Sequence, residues 1–111
     1  MYYPTSAILI EFLILSIVET NDSYGYEISQ TIKVVADIKE STLYPILKKL
    51  EKSGYVTTYM QEYQGRKRKY YKLTEEGGHQ LVFLREEWKA YKDTIDGIIE
   101  GRIRKSRKRS I

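Results

Sequence analysis

A mainly α chain with a small β hairpin and one long final helix is the fold class that the sequence predicts, and three observations predict it. Three apolar-periodic segments over residues 7–53 carry helix start and stop signals at their ends. A stretch rich in β-branched and aromatic residues, Val56 to Leu73, is interrupted by Gln64-Gly65 in the manner of a hairpin loop. Beyond Thr74, apolar residues return with helical spacing as far as Ile98.

The first helix opens after Pro4, with Thr5 or Ser6 as its cap. Apolar residues at 7–10, 12–15, 17 and 18 lie almost all round it, which makes it the central helix of the core. Asn21-Asp22-Ser23 breaks it. Ser23 is expected to cap a second helix, with Glu27 near its positive end, running through Tyr24, Ile28 and Ile32 to about Val34. Residues 35–40 form the turn. The third helix is expected to begin at Ser41 or Thr42 and to end at Ser53-Gly54, where glycine supplies the left-handed cap. Pro45 then falls in the first turn or just after it, where a missing N–H costs little. At about 100° per residue, Leu43, Ile46, Leu47 and Leu50 share one face. Ser41, Pro45, Lys48, Lys49 and Lys52 lie opposite, with Thr42 and Tyr44 at the edges.

The hairpin pairs Val56–Glu62 with Tyr70–Leu73, and its tip is basic. At least one of Tyr70 and Tyr71 should pack on the core. Thr74 caps the last helix, with Glu75 and Glu76 in its first turn, where Gly77-Gly78 cost roughly 1 kcal/mol each relative to alanine. Along that helix Leu81, Leu84, Trp88, Tyr91, Ile95 and Ile98 recur at spacings of 3, 4, 3, 4 and 3, an a/d seam. A helix from 74 to about 103 would be roughly 45 Å long at 1.5 Å per residue. That is too long to lie wholly against a three-helix core, and a second copy of the chain is the simplest partner for its distal half. The domain organisation expected is therefore 1–73, then a dimerisation helix over 74–103, then a basic tail at 104–111.

Composition narrows the chemistry. The 111 residues make about one domain and include no cysteine and one histidine, His79, so disulfides, thiolate metal sites and histidine relays are set aside. No metal site, cofactor or enzymatic activity is expected: no spacing here positions a base, an oxyanion hole or a metal beside a serine or tyrosine. Charge is distributed unevenly. Residues 102–111 hold six of the 19 Lys and Arg and no acid, leaving 13 positive and 15 negative charges on residues 1–101. A second basic cluster, Arg66, Lys67, Arg68, Lys69 and Lys72, lies within the body. Two basic patches on a near-neutral body suit a polyanion, with nucleic acid ahead of an acidic membrane. The longest apolar stretch, Ala7 to Val18, is too short for a bilayer span of about 20 residues and lacks the flanks of a signal peptide, so no membrane partner and a cytoplasmic location are expected.

Three helices followed by a basic-tipped hairpin is the winged helix-turn-helix order, in which the third helix enters the major groove and the wing lies along the backbone or minor groove. Three stretches make the likeness specific. They are Tyr24-Gly25-Tyr26-Glu27-Ile28, the run Ser41-Thr42-Leu43-Tyr44-Pro45 through Tyr55-Val56, and Gly65-Arg66-Lys67-Arg68-Lys69-Tyr70-Tyr71-Lys72-Leu73-Thr74 through Gly77. Together they resemble the signature blocks of the PadR family of transcriptional regulators, and the length with a single C-terminal helix resembles its short subfamily. The resemblance implies a dimeric repressor that binds an inverted repeat in double-stranded DNA. It also implies that Trp88, with Tyr91 one turn on, is a candidate site for a small planar effector. The tail beyond Gly101 lies outside the family's pattern.

Each candidate has a blander reading. Lys48 and Lys49 could form only a solvated helix face; with the resemblance, Lys39, Ser41, Thr42, Tyr44, Pro45, Lys48 and Lys49 become the DNA-facing set. Arg66, Lys67, Arg68 and Lys69 could merely discourage edge pairing, but so many cations exceed that need and point to phosphate or minor-groove contact. Leu81, Leu84, Trp88, Tyr91, Ile95 and Ile98 are assigned to the dimer interface, where a large aromatic is most often simple packing. Gly25 reflects close packing against the first or third helix. The competing function is an architectural or protein-interaction module that coats DNA without reading sequence.

Overall fold

The computed structural model of the chain describes residues 6–104. Seven elements follow in order: α1 (Ala7–Thr20), β1 (Ser23–Tyr24), α2 (Gly25–Ile32), α3 (Glu40–Lys52), β2 (Val56–Tyr63), β3 (Arg66–Leu73) and α4 (Glu75–Ile99). They divide into two compact units, Met1–Leu81 and Val82–Ile111, so the first two turns of α4 belong with the winged helix-turn-helix.

Ser6 caps α1, its hydroxyl accepting the Leu9 N–H at 3.2 Å; Pro4 and Thr5 lie outside the described residues. The core of the first unit forms where Ile10, Ile14, Leu15 and Val18 of α1 meet Ile28 and Ile32 of α2 and Leu43, Leu47 and Leu50 of α3. Val56 and Tyr71 close it from the sheet, so of the two adjacent tyrosines Tyr71 is the one that packs inward. Burying such side chains supplies roughly 1.5–3 kcal/mol each, the main driving force for this unit.

The sheet differs from the expected two-stranded hairpin. It has three antiparallel strands in the order β1-β3-β2, with Ser23 opposite Tyr71 and Tyr24 opposite Tyr70. Ser23 is therefore a buried strand residue rather than the cap of α2. Tyr24 occupies the capping position without a side-chain bond, and the Ser23 hydroxyl donates to Glu27 Oε1 instead of accepting from the helix backbone. α2 also ends at Ile32, short of Val34.

α3 starts one residue earlier than expected, at Glu40, with Lys39 in the extended capping conformation. That makes Pro45 its sixth residue, beyond the first turn, and the Ser41 carbonyl loses its usual i+4 donor. The end of α3 matches expectation. Gly54 has φ +82°, its N–H donates to the Glu51 carbonyl, and the Tyr55 N–H reaches back to Leu50, a Schellman closure.

Thr74 caps α4, its hydroxyl accepting the Gly77 N–H at 3.0 Å. The helix stops at Ile99, not near 103, so its 25 residues span about 37 Å. The Gly101 N–H closes on Ile98 and the Arg102 N–H on Gly97, which turns the chain aside. Of the basic tail, residues 105–111 lie outside the described residues.

Candidate nucleic-acid interface

α3 is two-faced as its sequence requires. Leu43, Leu47 and Leu50 are buried and Ile46 is half-buried, while Ser41, Thr42, Tyr44, Pro45, Lys48, Lys49 and Lys52 are exposed. The exposed cations are not equivalent. Lys49 Nζ lies 3.0 Å from Glu11 Oε2 of α1, an ion pair that ties the outer face of α3 to the core helix. Its lysine end is exposed while the Glu11 side chain is largely covered, and with solvent screening the lysine such a pair is worth about 1 kcal/mol. Lys39, Lys48, Arg66 and Lys67 enter no ion pair among the described residues, so their charges are available to a polyanion.

The wing is built by full register between β2 and β3, from Val56 opposite Leu73 to Tyr63 opposite Arg66. Alternation then sorts its side chains. One face carries Tyr71 and Leu73 toward the core and, further out, Lys69 and Lys67. Lys69 Nζ reaches Glu51 Oε1 of α3 at 3.5 Å, and Glu51 also accepts from the Thr58 hydroxyl at 3.0 Å. Burial, and after it the Glu51 charge, pushes the Tyr71 phenol above its ordinary value.

The other face carries Tyr59, Tyr63, Arg66, Arg68 and Tyr70, joined by Tyr24 from β1. Tyr59 stacks on Tyr70 with centroids 5.5 Å apart and planes 12° apart, and Tyr24 meets Tyr70 edge-on at the same distance. The Arg68 guanidinium lies 4.3 Å from the Tyr24 ring centroid and 4.2 Å from that of Tyr63. Asp22 anchors the inner end of this ladder by accepting the Tyr59 hydroxyl at 2.7 Å, a bond that raises the Tyr59 pKa.

Between the start of α2, the outer edge of α3 and the wing runs an open groove of about 570 Å³, lined by Tyr24, Gly25, Tyr26, Tyr44, Lys48, Glu51, Arg68, Lys69 and Tyr71. Tyr44 leans over Gly25: a Cβ there would stand 2.8 Å from Tyr44 Cε1. The close packing expected of Gly25 is thus against the third helix. Sequence reading did not assign Tyr24, Tyr59, Tyr63 and Tyr70 to this site. Tyr59 and Tyr63, four apart in β2, share one strand face with Tyr70 of β3, a grouping that shows only once the register is known and β1 is known to pair with Tyr70. Chemically, the groove and its rims offer ammonium and guanidinium groups with phenolic donors, suited to phosphates and base edges.

The expected dimer seam is altered at its first position. Leu81 is 0% exposed within the first unit, so it has no surface to offer another chain. In the second unit Trp88 is 39% and Tyr91 61% exposed, Ile98 is exposed, and Leu84 and Ile95 are half-buried. The Trp88 and Tyr91 rings are neighbours, 6.0 Å apart and tilted by 41°. Lys89 pairs with Asp93 at 2.7 Å beside them, which holds the Asp93 carboxyl below its ordinary value. Among the described residues no helix is long and apolar enough to cross a membrane.

The pattern of the Transcriptional regulator PadR-like family matches residues 14–82. The chain is 39% identical over 97 residues to an uncharacterised protein of Lysinibacillus sphaericus, covering 83% of this chain and 89% of that one. It is similar in structure to smu.1704 of Streptococcus mutans UA159, with TM-score 0.92, 70% identity, and 96% and 100% of the two chains covered. A PadR family transcription regulator of Clostridium difficile R20291 superposes with TM-score 0.75 at 35% identity, covering 81% of this chain and 97% of its own.

Proposed function

The chain belongs to the PadR-like family of transcriptional regulators, a family of DNA-binding transcription factors and not of enzymes, and from that membership we propose that it is a homodimeric, cytoplasmic repressor reading an inverted-repeat operator. α3 enters the major groove, where Ser41, Thr42, Tyr44 and Lys48 reach base edges and Lys39, Pro45 and Lys49 line the approach. Arg66 and Lys67 on the wing contact the backbone. The observation that carries this reading is the sharing of one unit by the exposed polar face of α3 and the basic wing, with Lys39, Lys48, Arg66 and Lys67 outside every ion pair among the described residues.

Dimerisation is assigned to α4. Support comes from the heptad recurrence of Leu84, Trp88, Tyr91, Ile95 and Ile98 and from the exposure of Trp88, Tyr91 and Ile98 among them, an apolar stripe of the kind that marks an interaction surface. The adjacent exposed rings of Trp88 and Tyr91 favour a second role for the same helix, a stacking site for a small planar effector.

The test is a competition between bulk DNA and a duplex selected by the protein from a random pool. A specific regulator prefers its selected duplex by roughly 10³-fold or more. Equal affinity for both would replace the proposal with an architectural module that binds DNA without reading it.

A further inference from the structure

Of the cations on the wing, Arg68 is placed differently from the rest. β1 pairs with β3 only at Tyr70 and Tyr71, so residues 60–63 and 66–69 project as a two-stranded ribbon without a third strand. Such a ribbon is marginal by itself in water, and its direction relative to α3 must be fixed by side chains. One face is tied to α3 through Lys69 and Glu51, a partly exposed pair at 3.5 Å. The opposite face is tied to the body through Arg68, whose guanidinium lies between the rings of Tyr24 on β1 and Tyr63 at the tip. Tyr24 is itself held by Tyr70, and Tyr70 by Tyr59. A flat guanidinium stacks on aromatic rings in a way that the compact, strongly hydrated ammonium of lysine does not.

We propose that Arg68 is a positioning residue for DNA binding: clamped between Tyr24 and Tyr63, it fixes the angle of the wing against α3, and it adds little to phosphate neutralisation. This rests on the reading of α3 and the wing as the DNA interface. It separates Arg68 from Arg66 and Lys67, whose charges meet the backbone directly.

The experiment measures affinity for a duplex selected by the wild-type protein, across a range of salt concentrations, for Arg68→Lys, Tyr63→Leu, Tyr63→Phe, Lys48→Ala and Lys67→Ala. Tyr63 is exposed at the wing tip, so replacing it leaves the core intact; unchanged helical circular dichroism and melting check this for every variant. Arg68→Lys, which keeps the charge, and Tyr63→Leu, which removes none, should each weaken binding about ten-fold with an unchanged salt slope. Tyr63→Phe keeps a ring and should bind as wild type. In the free protein the Arg68 Cδ protons should resonate upfield, shifted by two ring currents, and Tyr63→Leu should relax that shift. Wild-type binding by Arg68→Lys and Tyr63→Leu would overturn the proposal and make Arg68 an ordinary charge contact. Lys67→Ala should instead lower the salt slope by about one unit per subunit. Unchanged affinity and slope in both Lys48→Ala and Lys67→Ala would overturn the interface itself, and this inference with it.

Discussion

A Cβ on Gly77 would stand 2.0 Å from the carbonyl oxygen of Tyr55, so α4 begins by laying bare backbone against the chain leaving α3. Thr74 completes the clasp. Its N–H donates to that same Tyr55 carbonyl at 3.1 Å, and its hydroxyl donates to the Gly54 carbonyl at 2.6 Å while accepting the Gly77 N–H. The C-terminal end of the proposed recognition helix is therefore anchored by the bare backbone of Gly77 and by the N–H and hydroxyl of Thr74.

Gly77 and Gly78 should accordingly respond in opposite directions to alanine. Gly77→Ala drives a methyl into the Tyr55 carbonyl and should destabilise the fold by about 1–3 kcal/mol, the usual cost of overpacking. Nothing lies within 4 Å of a Cβ at Gly78, so Gly78→Ala relieves a helix of glycine and should stabilise by up to about 1 kcal/mol. Urea denaturation of the two variants measures both signs. A destabilised Gly78→Ala would contradict the open space seen there.

Gly25→Ala tests the other close approach. The methyl meets the edge of the Tyr44 ring, which is half exposed and able to swing outward. Stability should change little, by less than about 1 kcal/mol, while sequence preference on a selected duplex should shift because Tyr44 moves within the proposed DNA-facing set. Loss of stability without altered preference would make Tyr44 a packing residue.

Much of this arrangement was legible in the sequence, and the parts that were not share a physical reason. The two-faced pattern of α3, the Schellman end at Gly54 and the cap at Thr74 are local, written in residues within a turn of one another. β1 has no local signature: two residues make a strand only because Tyr70 and Tyr71, far along the chain, offer them a free edge. Ser23 followed by Glu27 reads as a helix start, and the two side chains do bond, but to each other. Leu81 fits the a/d spacing of the seam perfectly well, yet periodicity cannot say whether a helix face meets its own core or another chain. The Arg68 clamp needed both the register of β3 and the position of Tyr24.

Leu81 and Ile95 should therefore differ as sites of substitution. Leu81→Ala removes a fully buried side chain from the first unit and should cost about 2–5 kcal/mol of stability. Ile95→Asp places a carboxylate in the proposed α4 interface, where it would be buried unpaired. It should shift the protein to a monomer in light scattering and leave the winged unit folded by circular dichroism. A wild-type protein that is monomeric at micromolar concentration would defeat the dimer.

Trp88 is the chain's only tryptophan, which makes the proposed effector site directly observable. Its ring already neighbours that of Tyr91 at 6.0 Å, and a flat cationic guest stacking on either would gain about 0.5–2 kcal/mol per ring. Binding should quench the tryptophan emission, and Tyr91→Ala should weaken the quenching by losing one of the two rings. If the site is coupled to DNA, the guest must prefer one spacing of the recognition helices, because a ligand with equal affinity for both states shifts nothing. A planar dye cation that quenches Trp88 should then also change the affinity for a selected duplex, and saturating DNA should change the affinity for the dye by the same factor. A panel of planar cations that leaves the emission unchanged would reduce Trp88 and Tyr91 to packing between α4 helices.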